Sequence, residues 1–311
     1  MTLSVIIPVY NEEENVSVIY ERLTNVVAEM AMKRTEFLFV NDGSTDRTLE
    51  IIKALPSTKT DIRFIDLSRN FGHQIAITAG IDHCIGDRVV VIDADLQDPP
   101  ELIKTMSAKM DEGFDVVYAQ RIKRKGESWM KKATASIYYR LLDSITTVHI
   151  PIDTGDFRII SRRVVEALKQ MPEREKFLRG QIAWLGFNQT MVEYERDERN
   201  AGLTGYTWRR LTAMAVDGIT SFSNFPLKVA TISGFVVSFI AFFLMLYALY
   251  SHLVLKAFEP GWTSLMLSVF FIGGIQLFSI GIIGEYIGRI SNNVKQRPLY
   301  LIKQIGQLND K

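Results

Sequence analysis

The chain has 311 residues, 47% of them hydrophobic, which is enough for one large domain or two smaller ones. Its 36 Lys+Arg against 35 Asp+Glu leave a formal charge of +1, so bulk electrostatics give no footprint for a nucleic-acid partner. One cysteine, Cys84, excludes an internal disulfide and reads as a small buried hydrophobe in a reducing compartment.

Residues 3–9 predict a first strand, with no basic leader or signal-length apolar run, so the N-terminal domain is expected in the cytoplasm. Asn11 is expected to cap a helix that runs to about Met32, with Glu12, Glu13 and Glu14 at its positive end. Glu36–Val40 predicts a second strand, followed by the polar turn Asn41-Asp42-Gly43-Ser44-Thr45-Asp46 and another helix. Ile62–Leu67 predicts a third strand, and Phe71–Cys84 a helix. Arg88–Ile92 predicts a fourth, buried strand that ends in Asp93-Ala94-Asp95-Leu96-Gln97-Asp98. Alternating side chains put residues i and i+2 on one face, so Asp93 and Asp95 can converge on one hard cation.

Strands that alternate with helices imply βαβ units and a mainly parallel sheet, with ligands at the carboxyl ends of its strands. Asn11, Asp42 and Asp93 all stand at such ends. Beyond Val116–Tyr118 the pattern is less regular. Arg121, Lys123, Arg124, Lys125, Lys131 and Lys132 form a basic segment, and a helix is expected from about Lys131 to Ile145. A polar loop, Pro151–Arg158, precedes Ile159-Ile160, and a further helix should open at Ser161 and run to about Gln170.

Character changes near residue 226. Val229–Tyr250 and Thr263–Gly284 are each 22 residues without a charge, long enough to cross a hydrocarbon core of ~30 Å as helices. They predict a transmembrane hairpin around Pro260-Gly261. Arg209, Arg210 and Lys228 precede it and Arg289, Lys295, Arg297 and Lys303 follow, so both termini are expected on the cytoplasmic side. Thr207–Leu227 mixes Trp, Phe and Leu with basic residues, as an interfacial amphipathic segment does. The expected division is 1–206 catalytic, 207–228 juxtamembrane, 229–288 transmembrane helices, and 289–311 a cytoplasmic tail.

Ser4-Val5-Ile6-Ile7-Pro8-Val9-Tyr10-Asn11-Glu12, Val40-Asn41-Asp42-Gly43-Ser44 and Asp93-Ala94-Asp95-Leu96-Gln97-Asp98-Pro99 together resemble the inverting family-two glycosyltransferases of GT-A fold. With Leu67-Ser68-Arg69-Asn70-Phe71-Gly72, Thr154-Gly155-Asp156-Phe157-Arg158 and the hairpin, the chain is similar to polyprenyl-phosphate glycosyltransferases. The bacterial bactoprenol glucosyltransferases, relatives of dolichol-phosphate mannose synthase, are the nearest group. The resemblance implies an α/β, Rossmann-like fold with flanking helices, carrying amphipathic interfacial helices and a two-helix transmembrane hairpin. It implies transfer of a hexose, glucose first, from a UDP-sugar to undecaprenyl phosphate with inversion at the bacterial inner membrane.

By the same resemblance Pro8, Tyr10, Asn11, Glu12 and Asp42 would line the uridine pocket, where an amide and carboxylates can read base and ribose. Asp93, Asp95 and Gln97 would hold Mg²⁺ or Mn²⁺, and Arg199 would close over the diphosphate. Asp95 and Asp156 are the catalytic candidates, Asp156 as base or as orienter of the sugar. Arg121 and Lys132, with Arg124 and Lys131 as substitutes, would meet the acceptor phosphate, which suits the fork of arginine. Thr204-Gly205-Tyr206 departs from relatives that carry a basic residue there. The hairpin and the amphipathic segment offer surfaces for a homo-oligomer. Two other classes are open: a processive polysaccharide synthase, which would carry a downstream Gln-X-X-Arg-Trp motif, and a non-catalytic membrane scaffold, which would have lost the carboxylates.

Overall fold

The computed structural model describes residues 1–56, 60–121, 154–194, 225–250 and 261–308. They fall into two compact units. The first holds an eight-stranded sheet: β1 (Thr2–Val9), β2 (Arg34–Asn41), β3 (Asp61–Leu67), β4 (Arg88–Val91), β5 (Val116–Arg121), β6 (Thr154–Ser161), β7 (Gln189–Tyr194) and β8 (Ile302–Leu308). The helices between them are α1 (Val16–Ala28), α2 (Thr48–Ala54), α3 (His73–His83), α4 (Leu102–Asp111), α5 (Arg162–Lys169) and α6 (Leu178–Trp184).

The spatial order is β7-β5-β6-β4-β1-β2-β3-β8. Strands β3, β2, β1 and β4 run parallel, as βαβ crossovers require, and β5 runs parallel to β7. Strands β6 and β8 run against their neighbours. This is the GT-A, Rossmann-like α/β fold with a mostly parallel sheet.

Helices cover both faces, so the strands read as near-continuous apolar runs. On one face Leu3, Val5 and Ile7 of β1 pack with Ile19 and Leu23 of α1 and with Ile103 and Met106 of α4. On the other, Ile6 and Leu38 meet Ala76 and Ile77 of α3, Val164 and Val165 of α5, and Ile182 of α6. Cys84 is buried in this second layer, as expected, and burial pushes its thiol up to about 11.

Several local expectations change. Thr154–Arg158, expected in a polar loop, is the first part of β6. Asn11 does not cap a helix: its φ is +54°, a left-handed conformation that asparagine tolerates, and α1 begins only at Val16 and stops at Ala28. Strand β4 stops at Val91, and the chain turns through Leu96 at φ +60°, so Asp93 and Asp95 stand in a turn rather than on alternating strand positions. Residues 302–308, expected within a tail, form the edge strand β8, register-paired from Ile62 to Leu67 of β3. Helix α4, helix α6 and strand β7 are additional elements that no sequence pattern singled out.

The second unit contains α7 (Phe225–Tyr250, 26 residues) and α8 (Trp262–Val294, 33 residues), which contact each other. Among the described residues one segment, Phe271–Val294, is long and apolar enough to cross a membrane, and it is exposed. Large apolar side chains on both helices, including Phe235, Phe239, Leu277 and Phe278, face outward. The expected helix 131–145, most of the amphipathic segment 207–228 and the loop 251–260 lie outside the described residues.

Candidate active site

Strand register assembles the site. Val9 of β1 pairs with Asn41 of β2, so Asn11 and Asp42 leave the sheet side by side. The side-chain carbonyl of Asn11 accepts the Thr45 amide at 2.8 Å, and the Asn11 amide donates to Ser44 Oγ at 2.9 Å. The Glu12 amide donates to Thr48 Oγ1 at 2.9 Å. These bonds stitch the loop after β1 to the loop after β2. Tyr10 is exposed above them, and Pro8 is buried within β1.

Asp42 is buried, and its carboxylate accepts the backbone amides of Phe71 at 2.7 Å and Gly72 at 2.9 Å. Burial raises its pKa, and the two amides oppose that rise. The loop approaches so closely that a Cβ on Gly43 would stand 2.5 Å from the Arg69 carbonyl carbon, and Gly43 sits at φ +69°. Glycine is therefore required there twice over, by space and by backbone conformation.

The opposite side of the crevice comes from antiparallel pairing. Arg158 of β6 stands opposite Val91 of β4. Two residues back along β6 and two on past β4, Asp156 comes beside Asp93. His73, the first residue of α3, lies between them: its Nε2 is 3.1 Å from Asp156 Oδ2 and 3.4 Å from Asp93 Oδ1. Gln74 Nε2 donates to Asp156 Oδ2 at 3.0 Å, and the buried Arg158 guanidinium donates to Asp156 Oδ1 at 2.5 Å.

The charges follow from this packing. Burial opposes ionisation of Asp156, but the His73 hydrogen bond and the Arg158 and Arg179 charges outweigh it and hold the carboxyl far below the usual range. Burial likewise opposes the charge on His73, yet Asp93 and Asp156 push its imidazolium up to about 9. Asp93 is driven the other way: burial first, then Asp156, Asp95 and Asp98, raise it to about 6 against the pull of His73.

Asp93 Oδ1 is buried and makes no hydrogen bond. Its nearest cationic group is the His73 imidazole at 3.4 Å, and the lone pairs left without a hydrogen bond beside a second carboxylate are what a hard cation would satisfy. Asp95 accepts the Gln97 amide at 3.2 Å, which keeps the turn tight. Among the described residues no group of three His, Cys, Asp or Glu is placed to hold a metal by itself. Two carboxylates fit Mg²⁺-type binding, in which substrate phosphates and water complete the shell.

Arg121, at the end of β5, is already engaged. It donates to Tyr194 Oη at 3.0 Å and lies 3.5 Å from both oxygens of the buried Asp98, to which Tyr194 also donates. A Cβ on Gly155 would fall 2.6 Å from Arg121 Nη2, so the glycine of Thr154-Gly155-Asp156 makes room for this arginine. Arg124, Lys131, Lys132 and Arg199 lie outside the described residues. The sequence pattern did not single out His73, Gln74, Tyr194 or Arg179. His73 and Gln74 directly follow the Arg69-Asn70-Phe71-Gly72 motif, which was the available signal.

Residues 4–169 match the model of glycosyl transferase family 2. The chain belongs to that family. It is a glycosyltransferase. Residues 225–290 match a second model, the GtrB C-terminal hairpin. The uncharacterized glycosyltransferase YkcC of Bacillus subtilis (strain 168) is 49% identical over 97% of this chain and 93% of its own length. The SfII prophage-derived bactoprenol glucosyl transferase of Shigella flexneri is 42% identical over 98% of each chain. A prophage bactoprenol glucosyl transferase homolog of Escherichia coli (strain K12) is 40% identical over 98% of this chain and 99% of its own.

Proposed function

We propose that this family-2 glycosyltransferase moves glucose from UDP-glucose to undecaprenyl phosphate, with inversion, at the cytoplasmic face of a bacterial inner membrane. One observation carries the reading: likeness to bactoprenol glucosyl transferases that runs through catalytic domain and hairpin alike, over 98% of both chains. The division into a catalytic domain 1–206, an interfacial segment 207–228, two spans within 229–288 and a cytoplasmic C-terminal stretch belongs to this proposal. So does self-association through the hairpin. The outward apolar faces of α7 and α8 support placing both in lipid, because water does not favour so large an exposed apolar surface.

In this reading the loops after β1 and β2 seat the nucleotide, with Asn11, Glu12 and Asp42 around it. Asp93, Asp95 and Gln97 would hold Mg²⁺ or Mn²⁺, which supplies charge neutralisation for the departing diphosphate. The lipid phosphate is already ionised at neutral pH and attacks without losing a proton, so the reaction needs little general-base help. Asp156 matches that economy. Its oxygens are occupied by Arg158, His73 and Gln74, and its basicity is low, so its task is to orient the sugar rather than to take a proton. The basic residues Arg124, Lys131 and Lys132 would meet the acceptor phosphate and Arg199 the diphosphate, whereas Arg121, first among the expected phosphate contacts, is held by Asp98 and Tyr194.

The test is transfer of radiolabelled sugar by the full chain in detergent, from a panel of UDP-sugars to undecaprenyl phosphate. Label from UDP-glucose in an organic-extractable, mild-acid-labile lipid is expected. Protein that binds UDP yet labels no lipid from any donor would sink the proposal.

A further inference from the structure

The segment Phe71–Gln74 joins three strand ends. The amides of Phe71 and Gly72 hold Asp42 after β2. The next two side chains, His73 and Gln74, both bind Asp156 Oδ2 on β6. His73 also faces Asp93 after β4, at 3.4 Å. Four consecutive residues thus connect the candidate nucleotide, diphosphate and sugar contacts. Within them the imidazole is the group that touches two carboxylates from different strands.

Sheet register brings Asp93 and Asp156 within reach of one imidazole. Arg158 compensates Asp156 from within the sheet, where it is fully buried. His73 meets the other oxygen of the same carboxylate through Nε2 at 3.1 Å, with 42% of its side chain exposed. We propose that His73 is a positioning residue of the transfer: acting through Asp156, it fixes the carboxylate beside the sugar relative to the one beside the diphosphate. The inference rests on the glucosyl-transfer reading for what the two carboxylates touch. Its geometry rests on the hydrogen bonds alone.

A positioning role should appear in turnover and not in nucleotide affinity, because Asp42 and its amide contacts do not involve the imidazole. In the full chain, His73→Ala is expected to lower kcat about 20-fold or more while KM for UDP-glucose stays within about threefold. UDP binding with Mg²⁺, read by calorimetry, should also stay within about threefold of wild type. His73→Gln, which keeps a side-chain N–H, should recover about fivefold of the lost kcat. Because the effect passes through Asp156, the double variant His73→Ala/Asp156→Asn should be no slower than Asp156→Asn alone.

Wild-type kcat in His73→Ala, losses that multiply in the double variant, or loss of UDP binding equal to the loss of kcat would each overturn the proposal. A second measurement keeps it testable if a variant fails to fold or the wild type transfers no sugar. The chain has four histidines, so ¹⁵N-histidine spectra are simple. The His73 Nε2 signal should show a carboxylate hydrogen bond that is lost in Asp156→Asn. An unchanged signal overturns the proposal independently of any donor. No transfer by a wild type that shows this bond overturns the glucosyl-transfer reading and leaves the His73–Asp156 contact standing.

Discussion

The two flanks of the crevice are built on opposite logics. On the β3-β2-β1-β4 flank, polar groups sit on loops that leave parallel strands, and backbone amides and hydroxyls fix them: Asp42 by Phe71 and Gly72, Asn11 by Thr45 and Ser44. The β6-β5-β7 flank instead relies on buried ion pairs, Arg158 with Asp156 on β6 and Arg121 of β5 with Asp98 from the loop after β4. On the first flank Asp93 Oδ1 lacks a hydrogen bond and meets only the His73 imidazole at 3.4 Å, whereas on the second each carboxylate is paired with an arginine. The first is therefore suited to take up charge from solution, and the second to hold a fixed geometry next to it. His73 is where the two meet.

Substitutions should separate these logics. On the first flank Asp93→Asn is expected to leave the fold intact and lower sugar transfer by about 10³-fold, ~4 kcal/mol of transition-state stabilisation. Radiolabelled transfer together with a melting curve checks both halves of that statement. On the second flank the order reverses. Arg158→Met strands a buried carboxylate and should cost about 3 kcal/mol of stability, most of it restored when Asp156→Asn is added. Denaturant unfolding of the single and double variants reads this directly. If Arg158→Met unfolds no more easily than wild type, the internal pairing is not what holds that flank.

Smaller effects sharpen the comparison. Gly43→Ala forces a left-handed conformation and a backbone clash with Arg69, at a cost of about 2 kcal/mol. UDP affinity should fall with it, since the same loop carries Asp42. Tyr300→Phe removes a hydrogen bond to Asp82 at 2.9 Å beside the start of β8, and about 1 kcal/mol of stability should go with it while kcat is unchanged.

The same division explains what could be read from the sequence. The first flank was legible because its signals are local. A β-branched run followed by Asp93-Ala94-Asp95, or Val40 followed by Asn41-Asp42-Gly43, names both the strand and the polar loop at its end. Asn11 was misread as a cap because asparagine serves caps and left-handed turns equally well, and only the partner loop decides between them. The second flank was less legible because its meaning lies in register. Nothing near Arg158 in sequence says that it stands opposite Val91, and nothing near His73 says that it reaches Asp156. Strand β8 escaped for another reason. Ile302-Lys303-Gln304-Ile305-Gly306-Gln307-Leu308 lies on a sheet edge, so it lacks the apolar run of a buried strand and reads as a polar tail.

On the proposed function the carboxyl edge of β1, β2 and β4 takes a nucleotide diphosphate together with a divalent cation. Calorimetric titration of UDP into the full chain, with Mg²⁺ or Mn²⁺ and then with EDTA, tests it most directly. The account predicts binding that requires the cation in the wild type and fails in Asp93→Asn. Equal UDP affinity with and without the cation, or an Asp93→Asn variant that binds like the wild type, would contradict it.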